Sequence, residues 1–336
     1  MHREKKLVWC SIVLGSLAVV ANLLADQTPS AALLVVIKDE NALAIVDPVA
    51  KKVVGRVPVG EGPHEVEASA DGKLAFVSNY GLQNGKVPGS TISVVDVVAQ
   101  KELHRVDVGA LSRPHGLWFA GGKLYFTAEG NKLIGRYNPA ANQVDWRLGI
   151  GQNRTHRVLV SKDMNVIFAS NMGSITVAEL ASDKRDWNET VIPLGNGRQQ
   201  IDLSPNGKEL WTAHGEGGDG GVSVIDVATK KVLQTLDLNI KRANRLQFTR
   251  DGKRVFISDA NGNAVLVLDA VTRKVIKQMS VGASPECILM SPDGSRAFVA
   301  LSGENNVAMI DLKTLDVTGH IPTGPDPDGL AWAERK

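Results

Sequence analysis

The sequence predicts an all-β protein: a seven-bladed β-propeller of four-stranded blades, its ring closed by a C-terminal strand that pairs with the N-terminal three. Three observations predict it. A phrase of 41 to 51 residues returns six times along the 336-residue chain. Each return carries four short apolar stretches separated by turn residues, and periods near 40 with four strands apiece are the signature of propeller blades. The last phrase stops after one strand, whereas the chain opens with three strands that lack an innermost partner.

Taken in order, the chain begins with a segment that reads as a secretory signal over residues 1–25. His2, Arg3, Lys5 and Lys6 precede the apolar run 7–20, and small residues follow it. Cleavage is expected between 21 and 32, after Ala21 or Ala25; an uncleaved anchor is the alternative, because the run extends to Leu24. The propeller then occupies 33–336. Stretches 33–37, 42–47 and 52–59 supply the three unpartnered strands. Full repeats start near His64, His115, His156, Gln199, Asn244 and Glu286. A seventh starts at Asp328 and ends with "GLAWA" at 329–333. Pairing that strand with the first three leaves no open sheet edge.

Turn chemistry punctuates each repeat. Asp71-Gly72, Asn206-Gly207, Asp251-Gly252 and Asp293-Gly294 join the first two strands, with Gly121-Gly122 and Asp163-Met164 as weaker versions. Such hairpins need residues that tolerate positive φ. Third strands close on Asp47, Asp96, Asp226, Asp269 and Asp311. Fourth strands end at Gly60, Gly109, Gly151, Gly195, Gly282 and Gly324, with Asn239 substituting once, as a left-handed position allows.

Composition narrows the function classes. Lys plus Arg total 38 against 36 Asp plus Glu, and removing the leader leaves a net charge near zero, so neither nucleic acid nor bulk membrane is an expected partner. After the leader one cysteine remains, Cys287. No internal disulfide, c-type haem motif or paired-cysteine metal site is therefore possible, and Cys287 is expected as a small buried residue opening an inner strand. "GEGGDGG" lacks the Lys-Ser/Thr of a phosphate-binding loop, so no nucleotide is expected.

Aligning the repeats by their turns places one residue per blade at the entry to the innermost strand: His64, His115, His156, Gln199, Asn244, Glu286 and Asp328. All seven are polar, and the circular geometry makes them a ring around one mouth of the channel. Six histidines follow the leader, so any seven positions should hold about 0.1 of one by composition. Three in consecutive blades is the sharpest signal in the sequence. Three histidines with an open fourth position suit a metal, and imidazole serves zinc and copper alike. The alternative is structural: a polar residue at each loop-to-strand junction bonds exposed backbone there.

A second ring at the ends of the second strands contains Asn79, Glu129, Asn171, His214 and Asp259. Of these, His214 and Glu129 are candidate acid–base groups. Arg113, Arg154, Arg157, Arg198, Arg242 and Arg245 flank the first ring, a rim suited to carboxylate or phosphate. The plain alternative is a set of exposed ion pairs with Glu65, Glu129 or Asp259. Elaborated loops in "YGLQNGKVPGST" and "HGEGGDGG" belong to the same face, as functional loops on repeat rings do.

The repeats "GPHEVEASADGKLAFVSNY" and "SPECILMSPDGSRAFVALSGENNVAMIDLKTLDVTGHIPTG" resemble the YVTN-type repeats of YncE-like periplasmic and surface-layer propellers. The resemblance covers the chain after the leader and implies the architecture, hardly the activity. More distantly similar seven-bladed propellers include lactonases and lyases, cytochrome d1 domains, dehydrogenase subunits, and copper enzymes that seat metal on channel-facing histidines.

The expected function is a periplasmic or secreted propeller that binds a small anionic ligand together with a copper or zinc ion at the channel mouth. His64, His115 and His156 would hold the metal; Arg113, Arg154, Arg157, Arg242, Arg245, Glu286 and Asp328 would line the ligand site. Two alternatives stay open. One is a metal-dependent enzyme, oxidoreductase or lactonase/lyase-like, with His214 and Glu129 handling protons. The other is a scaffold that docks a protein partner on the same face.

Overall fold

The computed structural model describes residues 27–82, 87–198, 200–215 and 220–335. The expected leader and ring member Gln199 lie outside the described residues, as do parts of both elaborated loops. Among the described residues no helix is long and apolar enough to cross a membrane.

Seven antiparallel sheets form the ring. Strand composition follows from what covers each face. Ala31–Ile37 reads AALLVVI because neighbouring blades bury both of its faces. The outer strand Lys101–Asp107, packed on one face only, alternates between exposed and more buried residues. Seven apolar clusters fill the seven seams between blades. Between the fifth and sixth blades, for example, fully buried Trp211 meets Phe248 edge-on at 5.5 Å.

Closure occurs as the sequence predicts. Pro327–Glu334 pairs antiparallel with Ala31–Ile37, matching Leu33 with Trp332 and Val35 with Leu330, and completes the sheet of Ala42–Asp47 and Lys52–Pro58. Thr28 is buried and donates its hydroxyl to the Val97 carbonyl at 3.0 Å, so the contacts of the first blade begin before its first strand.

The repeated turn residues have local roles. Gly72, Gly207, Gly252 and Gly294 take φ of 66° to 73°. Ahead of them, a hydroxyl clasps the turn carboxylate or amide: Ser69–Asp71 at 2.6 Å, Ser204–Asn206 at 2.8 Å, Thr249–Asp251 at 2.7 Å and Ser291–Asp293 at 2.5 Å. The Ser291 bond, with backbone support from Ser295, pulls the Asp293 carboxyl down to about 2. The third-strand aspartates cap the next turn, as when Asp47 Oδ1 accepts from Val49 N and Ala50 N, both at 2.8 Å.

Two details differ from expectation. In the fourth blade, strands two and three run together as Val166–Leu180, which folds back at Met172-Gly173. Gly173 has φ 72°, and Leu180 N returns to Asn165 O at 2.8 Å. Four antiparallel strands result there too. Among strand-end residues, Gly109, Gly151, Gly282, Gly324 and Asn239 take positive φ, but Gly60 and Gly195 do not. Gly60 is small because the Asn79 side chain occupies the space of a Cβ; nothing in the structure explains Gly195.

Candidate functional site

The inner strands enter through a bulge. Pairing with the second strand skips between Pro63 and Val66, between Pro114 and Leu117, and between Pro285 and Ile288. A hydroxyl on the second strand takes up the amide freed there: Glu65 N to Ser78, Gly116 N to Thr127, Arg157 N to Ser170 and Arg245 N to Ser258, at 2.8–3.0 Å. A bulge re-aims side chains out of the regular alternation, and His64, His115, Asn244 and Glu286 each lie within such an irregularity. Neighbouring inner strands crowd at the same level. A Cβ on Gly116 would strike the His156 carbonyl, and one on Gly329 the His64 carbonyl.

Ring residues from separate blades therefore meet. A small cavity of about 50 Å³ is bounded by His64, His156, Asn244, Glu286 and Asp328, with Gln200 beside the undescribed Gln199. Lys38, Arg242 and the Glu65–Arg245 pair complete its charged lining.

The three imidazoles form one stack. His64 and His115 have ring centroids 4.2 Å apart, and His115 and His156 4.1 Å apart, both edge-to-face. Tyr80 packs edge-on against His115 at 5.0 Å. His115 is only 1 % exposed. Its Nδ1 lies 3.1 Å from Glu129 Oε2, while its buried Nε2 has no hydrogen-bond partner. His64 Nδ1 stands 3.1 Å from Asp328 Oδ2, without hydrogen-bond alignment. Burial pushes the His64 imidazole down to about 4, against the pull of Asp328, so it is neutral at physiological pH. Donor atoms of His64, Glu65 and His115 fall within 4.8 Å of one another.

The opposite side of the ring is closed on itself. Asn244 Nδ2 donates to Glu286 Oε2, Arg242 Nη2 lies 3.4 Å from the same oxygen, and Ser302 Oγ reaches Oε1 at 3.3 Å. Lys38 Nζ spans Asp326 at 3.3 Å and Asp328 at 3.5 Å. Burial first, and then the nearby Asp328 charge, raise the Glu286 carboxyl.

The second ring is mostly structural. Asn79 bonds Thr91 and Ser93, Asn171 bonds Thr176, and Asp259 receives Lys241 N and Arg242 N. Glu129 differs: it sits in the 3-10 turn Glu129–Asn131 beside His115. His214, at the end of Glu209–His214, is buried, which lowers its pKa. Among the described residues no hydrogen bond or ring contact joins it to the imidazoles or to Glu129.

The arginines divide in the same way. Arg154 is exposed in the loop before His156, and Arg242 is half-exposed beside Glu286. Arg113 donates to the Tyr80 hydroxyl at 3.2 Å and lies over that ring. The Arg198 side chain lies outside the described residues. Arg157 and Arg245 do not stand on an exposed rim: they turn into the channel, where both bind Glu65, Arg245 at 2.8 Å and 3.0 Å and Arg157 at 3.0 Å. Burial alone would raise the Glu65 carboxyl, but Arg245 and Arg157 reverse this and hold it well below the carboxylate range. Glu65 and Lys38 were not among the expected site residues. The residues one step after the ring read Glu65, Arg157 and Arg245 in three blades, and that alternation of charge was the available signal.

A family model described as the choice-of-anchor I domain matches residues 153–326. Among solved structures, the chain is similar to a chain of Kuenenia stuttgartiensis hydrazine synthase (TM-score 0.71, 19 % identity, covering 83 % of this chain and 91 % of that one). It is also similar to the periplasmic gluconolactonase of Pseudomonas aeruginosa (0.73, 18 %, 90 % and 99 %). A third similar structure is a protein of Lactobacillus plantarum (0.72, 14 %, 90 % and 98 %). At these identities the likeness is one of fold.

Proposed function

We propose, from the premise that this chain belongs to the choice-of-anchor I domain family, that it is an exported propeller carrying a copper or zinc ion on His64, His115 and His156. In this reading the YVTN-type repeats group it with the YncE-like propellers of the periplasm and cell surface. The observation that carries the reading is the orphaned Nε2 of His115. An unpartnered buried polar atom costs about 1–3 kcal/mol, and a metal ion would satisfy it. A carboxylate on Nδ1 fixes the ring's tautomer so that the Nε2 lone pair is free to ligate, and Glu129 stands in that place. The neutral state of His64 suits the same role. Glu65, already bound by two guanidiniums, acts as a counter-charge below the imidazoles rather than as a ligand.

Three imidazoles leave a coordination position open. A small anion there would be flanked by Arg242, which is half-exposed and lines the mouth cavity, with Arg154 exposed in the loop before His156. Chemistry at such an ion is the second reading, favoured by the fold the chain shares with a gluconolactonase. The metal would polarise an ester carbonyl, and Glu129 would orient the His115 ligand.

Elemental analysis of mature protein purified without chelator or affinity tag, before and after reconstitution with copper and zinc, tests the proposal. Near-stoichiometric metal is expected, lost in the His64/His115/His156 triple alanine variant and retained in His214→Ala. No retained metal, or unchanged stoichiometry in a folded His115→Ala variant, overturns it.

A further inference from the structure

We infer that the channel contains a second ligand site, independent of any metal, in which Arg157 and Arg245 bind a small oxyanion of phosphate or sulfate size. Beneath the mouth lies a chamber of about 160 Å³ whose lining includes Glu67, Trp118, Arg157, Asp202, Arg245 and Gln247. Glu65 and Arg245 border both this chamber and the mouth cavity, so their ion pair is the partition between them.

The donor count points to an anion. Glu65 engages Arg245 through Nη2 and Arg157 through Nη1. Arg245 Nε, Arg245 Nη1 and Arg157 Nε are buried and have no hydrogen-bond partner within the protein. Arg245 is 6 % exposed, too deep for bulk solvent to serve those groups. Gln247 accepts Met290 N through its side-chain oxygen at 3.0 Å, so its amide nitrogen is a further donor in the lining. Guanidinium forks pair bidentately with oxyanions, and two cations here face one firmly ionised carboxylate.

The remaining charges favour an anion on the acid side of neutrality. Burial raises Glu67 to about 7 and Asp202 to about 6, opposed in both by Arg157 and Arg245 and, for Asp202, by the Phe248 amide. Burial likewise keeps Cys287 a thiol. Below about pH 6, where both Glu67 and Asp202 take up protons, the two arginines exceed Glu65 by one charge. The volume sets an upper size: at ~30 Å³ per water the chamber holds about five waters, enough for an oxyanion and too little for a ligand of ~300 Å³ or more. The site uses none of the histidines, so it goes beyond the metal reading and does not rest on it.

The test is calorimetric titration of chelator-treated, full-length mature protein with sodium phosphate and sodium sulfate at fixed ionic strength, against sodium chloride. Saturable binding of one oxyanion per chain is expected, tighter at pH 6 than at pH 8 and unchanged in the triple-histidine variant. Arg157→Gln leaves Glu65 its Arg245 partner, and Arg245→Lys keeps the charge while removing the two free donors. Each should weaken binding tenfold or more. Absence of saturable heat in the folded wild type, a response equal to that of chloride, or equal binding in both arginine variants overturns the inference.

Discussion

The two sides of the mouth ring occupy the same place in their repeats and have opposite fates. On the carboxylate side, Asn244, Glu286 and Asp328 are joined to one another's neighbours through Arg242, Ser302 and Lys38. On the histidine side, two carboxylates approach the rings from behind, and the buried Nε2 at the centre of the stack is left over. The bulge that opens most of the inner strands re-aims the ring residue. Partners then decide whether it braces the ring or awaits a ligand.

The largest effect expected from breaking this arrangement lies on the axis beneath both sides. Glu65→Ala would leave Arg245 buried without its counter-ion, a loss of about 3–5 kcal/mol, read as a lower denaturant midpoint; a change under 1 kcal/mol would mean the triad is well hydrated. Next comes the support of the histidine side and of the metal proposed there. Glu129→Gln should lower copper or zinc affinity about 10–100-fold while leaving the thermal midpoint nearly unchanged, as competition with a chromogenic chelator would show.

The carboxylate side should respond to pH instead. Glu286 has a raised pKa in the fold, so between its unfolded and folded values the native state holds more protons. Stability is then full below the ordinary carboxylate value and declines as pH rises through the shifted one. Thermal melts from pH 5 to pH 8 should show this decline, and Glu286→Gln should reduce it without altering metal content, the remainder coming from the raised carboxyls of Glu67 and Asp202. The smallest effect is expected at Arg242, whose pair is half-exposed. Arg242→Ala should cost under about 1 kcal/mol, and a fall in metal content there would blur the division between the two sides.

Architecture was legible because it repeats. Asp-Gly turns, closing aspartates and the unmatched strands at each end all carry a period, so blade number and closure followed from counting. The site was half legible. The ring of His64, His115 and His156 could be placed because position in a repeat is periodic, and the structure brings those rings within 4.2 Å of their neighbours. Which partners each would find was not. Glu129 reaches His115 from within its own blade, whereas Glu65 meets Arg245 across 180 residues of sequence. Such pairings depend on how inner strands approach across the axis, and no local pattern encodes that distance. Arginines flanking the ring look alike in sequence. Three positions along the chain separate Arg242, half-exposed before the inner strand, from Arg245, buried in the channel.

Closure by Pro327–Glu334 also has a consequence for the order of events in folding. The first sheet to leave the ribosome is the last to be completed, because its innermost strand is the last to be made. Until then Ala31–Ile37 presents an unpaired apolar edge, and the ring cannot shut. Contacts so distant in sequence form slowly, so six sheets can be complete while the circle is still open, and the knot that ties it comes last.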